Sequence, residues 1–171
     1  MQAVDQGMTI WGIDPGLKGA LSVIHFDPSG VIDSAVIHPI RSADHRVIPS
    51  DFRGHLAIHG PPNLVVVERV SGAGANHWGS GASFSFGKIV GSTLTMLHCL
   101  DLPILEVHPR SWKAHMIIGK DKGKKMSITA CQALVPSVSL IPVGKRTPSH
   151  DYAESVLIAV YGYYTIEGLI K

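Results

Sequence analysis

Cysteine is nearly missing from this chain, which has only Cys99 and Cys131 among 171 residues. Two thiols in no metal-like spacing exclude a disulfide-stapled secreted scaffold and a cysteine-rich zinc module. Both stand among apolar neighbours, so both are expected to be buried free thiols in a reducing compartment. No apolar run approaches the ~20 residues that span a bilayer, so no membrane partner is expected. The opening MQAVDQGMTI has neither the apolar core of a secretory signal nor the Arg and Ser bias of a transit peptide. The expected location is the cytoplasm of a bacterium or a phage-infected host, or a plastid if a transit peptide has been removed. Internal repeats, low-complexity tracts and linkers are missing too. The length suits one hydrophobic core, so a single domain over residues 1–171 is expected, with 1–8 as a loose N-terminus. Strong net charge is also absent; the formal balance is +2, which names no partner.

The distribution of charge says more than its sum. Arg110, Lys113, Lys120, Lys122, Lys124, Lys125, Lys145 and Arg146 fall between His108 and Pro148, against the single acid Asp121. That stretch carries +7 and the remainder −5. A basic face on a near-neutral protein suits a phosphate-binding surface, although a solvated helix with flexible ends explains the charge equally well.

Hydrophobic patterning supplies the architecture. Residues 9–13, 20–26 and 31–38 read as three strands separated by Asp-Pro-Gly and Asp-Pro-Ser-Gly turns, an antiparallel meander. A helix over 50–58 stops at Gly60-Pro61-Pro62. Residues 64–67 (LVVV) are a strand buried on both faces. The Gly/Ser-rich stretch 71–83 is too polar for core. A helix is expected over 84–100, a fifth strand over 103–107, short helices over 111–117 and 124–134, and a last helix over 149–164. The class is α/β, a five-stranded mixed sheet flanked by helices.

Four acids sit where chemistry would want them. Asp14 ends the first strand and Glu68 the fourth; if those strands are neighbours, both carboxylates meet at one edge of the sheet. Asp151 and Glu154 are three residues apart on the last helix, and His150 is four before Glu154, so all three share a face. Oxygen ligands converging from separate segments suit a hard divalent cation. Each has an ordinary explanation as well: Asp14 as a turn former before Pro-Gly, Asp151 as a first-turn acid favoured by the helix dipole. Glu68 directly after LVVV and Glu154 within an apolar helix are harder to explain that way, because a buried charge needs a partner.

In this order the motifs GIDPGLKGALSVI, VVVERV, FSFGKIVG, HPRSWKAHM and HDYAESVLIAVYG resemble those of RuvC-type Holliday-junction resolvases, most of all the phage-borne branch and the related plastid resolvases. The likeness runs from about residue 9 to residue 163. It implies a ribonuclease H-like fold, a homodimer, four-way junction DNA as partner, and symmetric paired nicks made with two Mg²⁺ ions, for which Mn²⁺ substitutes. Asp14 would bridge the two ions, Glu68 would be the second ligand and Glu154 the terminal helix acid. Some relatives place the remaining ligand where Asp151 stands, others use a histidine where His150 stands. Asp151 is the harder ligand and better matched to Mg²⁺. Lys113 and Lys124 fall where the family carries basic residues near the scissile phosphate; Lys122 and Lys125 compete with Lys124 for that role. The resemblance carries the loop after Glu68 into the junction centre, where His77 and Trp78 are its only large groups, Trp78 able to stack on a base or to fold back onto the domain. Phe84 and Phe86 are expected in the core or at the dimer contact. Gly87 and Gly91 could allow a partner helix close, or could abut the sheet.

Other signals point elsewhere. GKDKGKK lacks the spacing and hydroxyl of a P-loop, so no nucleotide cofactor is expected. His55 and His59 are four apart, but no third ligand stands near in sequence, and a solvated helix face explains them better than zinc. An actin-like ATPase would need a second such domain. Cleavage of an RNA–DNA hybrid and catalytically silent junction binding are the remaining alternatives.

Overall fold

The computed structural model describes residues 7–70, 79–118 and 123–170. Side-chain alternation builds the sheet. In β1 (Met8–Asp14), Trp11 and Ile13 enter one core while Ile10 belongs to the other, as a period of two requires. β2 (Ala20–Phe26) and β3 (Ile32–Pro39) continue antiparallel from β1, the expected meander. β4 (Ser42–Ala43) and β5 (Arg46–Val47) form a small separate hairpin that sequence reading did not anticipate. Its turn holds Asp44 and His45 at positive φ, a conformation that leaves no apolar pattern to detect. α1 (Pro49–His59) leads to β6 (Leu64–Glu68), which lies parallel to β1. α2 (Ser80–Cys99) leads to β7 (Ile104–Val107), parallel to β6. α3 (Pro109–Met116), α4 (Lys124–Leu134) and α5 (His150–Ile166) complete the order. The strands stand β3-β2-β1-β6-β7. The expected five-stranded mixed sheet is therefore observed, with β1 and β6 at its centre.

Two cores cover its faces. Trp11, Ile13, Val65 and Val67 pack with Phe52 of α1 and with Ile89 and Leu97 of α2. Ile10, Ile24 and Val66 pack with Trp112, Met116 and Cys131 and with the long buried run of α5. From Tyr152 to Tyr163 every residue of α5 is buried, as a helix apolar on all sides must be. This helix lies unusually close to the sheet. A Cβ on Gly12 would collide with the Ser155 carbonyl and Ala159, and one on Gly162 with Val66. Ser22, buried under the helix, donates to the Ser155 carbonyl oxygen at 2.8 Å. None of the described helices is long and apolar enough to cross a membrane.

The structure differs from expectation at several points. β1 begins at Met8, inside the segment expected to be loose, because Met8 already pairs with Phe26. α2 begins at Ser80 rather than near Phe84; its first turn is exposed and polar, so it carries no apolar periodicity. Cys131 is buried, and burial pushes its thiol up to about 12. Cys99, however, is exposed, because α2 turns Ile89, Thr93 and Leu97 inward and leaves its last residue outside. Phe84 is 71% exposed and is no core residue. Gly87 and Gly91 have open space where a side chain would be, so they do not abut the sheet.

Candidate active site

Strand register brings the first two acids together. Ile13 pairs with Val67 in the parallel β1–β6 ladder, and Asp14 and Glu68 each follow by one residue. Both carboxylates therefore leave the C-terminal edge of the sheet on the face that α5 covers. The first turn of α5 brings His150 and Asp151 to the same place. Asp14, Glu68, His150 and Asp151 line one cleft of about 550 Å³, with Leu17, Lys18 and Phe86 completing its wall. Glu154, one turn further along α5, is only 8% exposed.

The electrostatics of Asp14 and Glu68 are unfavourable for free carboxylates. Burial raises Asp14 well above the ordinary range, and the charges of Glu68, Glu154 and Asp151 raise it further, with Lys113 opposing. Burial likewise pushes Glu68 up to about 7, against the pull of Lys113 and with a push from Glu154. The Trp112 indole N–H makes no hydrogen bond of ordinary geometry, yet it lies close enough to Glu68 to favour the charged form slightly. Among the described residues, no three of the acids bring one oxygen each within 4.8 Å of one another. Buried oxygen donors that resist ionisation beside one another fit a hard divalent cation, whose charge would relieve both the desolvation and the repulsion.

Glu154 is held from two sides. Ser127 of α4 donates to its Oε1 at 2.9 Å, and Lys113 of α3 pairs with its Oε2 at 3.1 Å. The Lys113 ammonium also lies 4.9 Å from the centre of the Trp112 ring. Asp151 accepts from the Ser149 hydroxyl at 3.2 Å, and its Oδ1 meets His150 Nε2 at 3.1 Å. His150 and Asp151 thus stand as a pair in the cleft, and the geometry does not choose between them as ligands.

Sequence reading expected Asp14, Glu68, Asp151, Glu154, His150 and Lys113 at one site, and the structure brings them together. Arg110, Lys125, Lys145 and Arg146 are exposed and outside the cleft lining. His77, Trp78, Lys120 and Lys122, and the side chain of Lys124, lie outside the described residues. Ser127, Trp112, Lys18 and Phe86 were not picked out as site residues. A lone Ser in an apolar helix and a buried Trp look like core in sequence. Only packing shows that they touch or face the acids.

No third ligand stands near His55 and His59 in sequence, but the fold brings a third histidine beside them. His38, near the end of β3, places a ring nitrogen within 4.8 Å of one from each of them. It comes from a different element, so spacing within α1 carries no trace of it.

No family model and no curated protein matches this chain in sequence. Solved structures do match in fold. Thermus thermophilus RuvC in complex with a Holliday junction substrate superposes with a TM-score of 0.62 at 14% identity, covering 94% of this chain and 97% of that one. Fowlpox virus resolvase, in complex with substrate Holliday junction DNA, gives 0.57 at 17% identity, covering 96% and 100%. The yeast mitochondrial Holliday junction resolvase Ydc2 gives 0.57 at 13% identity, covering 94% and 79%.

Proposed function

We propose that this chain, which has the ribonuclease H-like fold of RuvC-type resolvases, is a metal-dependent DNA endonuclease that cuts four-way junctions. The observation that carries the reading is the convergence of Asp14, Glu68, Asp151 and Glu154, with Lys113, from four separate parts of the chain. That matching folds are known in complex with junction DNA supports the choice of substrate.

Asp14 and Glu68, with Asp151 or His150 and with Glu154, would hold two Mg²⁺ ions, or Mn²⁺ in their place. Such ions, when bound, lower the pKa of a water and neutralise charge on the phosphate. Attack of water on phosphorus breaks the bond to the 3′-oxygen, leaving a 5′-phosphate and a 3′-hydroxyl. Lys113 stands close enough to Asp14 and Glu68 to counter part of the rise in each, so its charge also stabilises the negative transition state. Ser127 and Lys113 keep Glu154 aimed from beneath. The exposed Arg110, Lys125, Lys145 and Arg146 bind backbone phosphates and so add affinity without sequence preference. A homodimer places one such cleft on each of two opposed strands, and the open face at Gly87 and Gly91 gives a partner helix room to approach.

The test is cleavage of a synthetic four-way DNA junction with Mg²⁺, beside a linear duplex, an RNA–DNA hybrid and the Asp14→Asn variant. Paired symmetric nicks on the junction alone, absent in the variant, are expected. Junction binding without cutting in Mg²⁺ or Mn²⁺ would replace the reading with a structural junction binder, and hybrid cleavage alone with a ribonuclease.

A further inference from the structure

On the far side of the sheet from the acids, three histidines meet between two elements. His38 Nε2 and His59 Nε2 are 2.9 Å apart, and one ring nitrogen from each of His38, His55 and His59 lies within 4.8 Å of the others. His55 and His59 are one turn apart on α1, and His38 stands on the edge strand β3. All three are partly buried. His55 Nδ1 is buried with no hydrogen-bond partner, an uncommon state for a ring nitrogen unless something else satisfies it.

From this geometry we infer that His38, His55 and His59 form a second metal site, for Zn²⁺ or a similar borderline divalent ion, that clips α1 to β3. Imidazole donors select such ions, whereas Mg²⁺ prefers oxygen, so this site and the carboxylate cleft differ in the metals they take. Two nitrogens on one tetrahedral zinc, each ~2.0–2.1 Å from it, stand roughly 3.4 Å apart. The His38–His59 pair therefore needs to open by only a few tenths of an ångström. Three protein ligands leave a fourth position for water. A cleft of about 270 Å³, lined by His38, His55, Arg41 and Asp51 among others, leads from solvent to the cluster.

The surroundings permit a cation. A ligating imidazole must be neutral, and burial together with the neighbouring rings holds His38 down at about 4 and lowers His55 too. Arg41 opposes added positive charge, but its guanidinium is forked onto Asp51, whose own charge favours a cation at His55. Of the two, the Asp51 charge acts more strongly on His55.

The experiment is zinc titration of the metal-free protein against a chromophoric zinc chelator, repeated with Asp14→Asn and Glu68→Gln combined to disable the acidic cleft. One zinc per chain that excess Mg²⁺ cannot displace is expected in both. His38→Gln and His59→Gln should each weaken uptake by roughly 10–100-fold or more. Circular dichroism of the metal-free variants checks that they remain folded. In the unmodified protein, ring-proton NMR signals of all three histidines should move on adding zinc, a readout that needs no variant. Zinc uptake unchanged by His38→Gln, uptake abolished by the two acid substitutions, or immobile His38 ring signals would each overturn the proposal.

Discussion

Lys113 on α3 reaches Glu154 on α5 at 3.1 Å, an ion pair in which the lysine side chain keeps a quarter of its exposure and the acid a tenth. The pair ties the basic segment to Glu154, the most buried acid among the described residues by whole-residue exposed surface. Lys113 also opposes the upward shifts of Asp14 and Glu68, so a single ammonium acts on three carboxylates. Lys113→Ala is therefore expected to slow junction cleavage by ~10²-fold or more, with Lys113→Arg recovering part of the loss. Single-turnover kinetics at saturating Mg²⁺ would show it. Unchanged kinetics would leave Lys113 a purely structural partner of Glu154.

Asp14→Asn should reduce cleavage by ~10³-fold or more, since charge stabilisation worth several kcal/mol is lost. The same change should raise the melting temperature of metal-free protein, because it removes a buried carboxylate repelled by three others. A calorimetric scan with chelator present checks the second half. Lower stability would mean that Asp14 contributes favourably even without a cation.

Glu68 predicts a pH signature. Its carboxyl is raised from 4.5 to about 7 on folding, so between those values the folded chain binds more protons than the unfolded one. Stability must then fall as pH rises through that window. His38, lowered from 6.5 to about 4, acts in the opposite sense over nearly the same range. The clean measurement is thus the difference between the original protein and Glu68→Gln in metal-free denaturant titrations. The variant should gain relative stability from pH 4.5 towards pH 7, and Mg²⁺ should narrow the gap.

His150 and Asp151 contact one another at 3.1 Å, and metal titration can separate their roles. Asp151→Asn is expected to raise the Mg²⁺ concentration needed for half-maximal cleavage by ~10–100-fold. His150→Gln should lower the rate with a smaller shift in metal requirement. The reverse ranking would make His150 the ligand.

Gly12→Ala tests whether α5 must lie so close to the sheet. The new methyl group meets the Ser155 carbonyl and Ala159, backbone and core that have nowhere to go. A loss of about 3 kcal/mol or more is expected, with reduced cleavage because the helix carries Asp151 and Glu154. Equilibrium unfolding and the junction assay together would separate the two effects.

The sequence alone determined which segments become strands and helices and where the acids fall along them. The short apolar runs of β1 and β2, the run LVVV before Glu68, and the spacing of Asp151 and Glu154 are local signals written in consecutive residues. Boundaries slipped where the pattern was polar, as at Ser80, and where helical phase turned Cys99 outward. Tertiary structure alone decided what meets what. It set β1 beside β6, so that Asp14 and Glu68 share an edge. It placed Ser127 and Lys113 on the two oxygens of Glu154. It also carried His38 to His55 and His59. Contacts between distant segments depend on strand order, helix rotation and close approaches such as Gly12 under α5, and none of these has a period that a linear reading can detect.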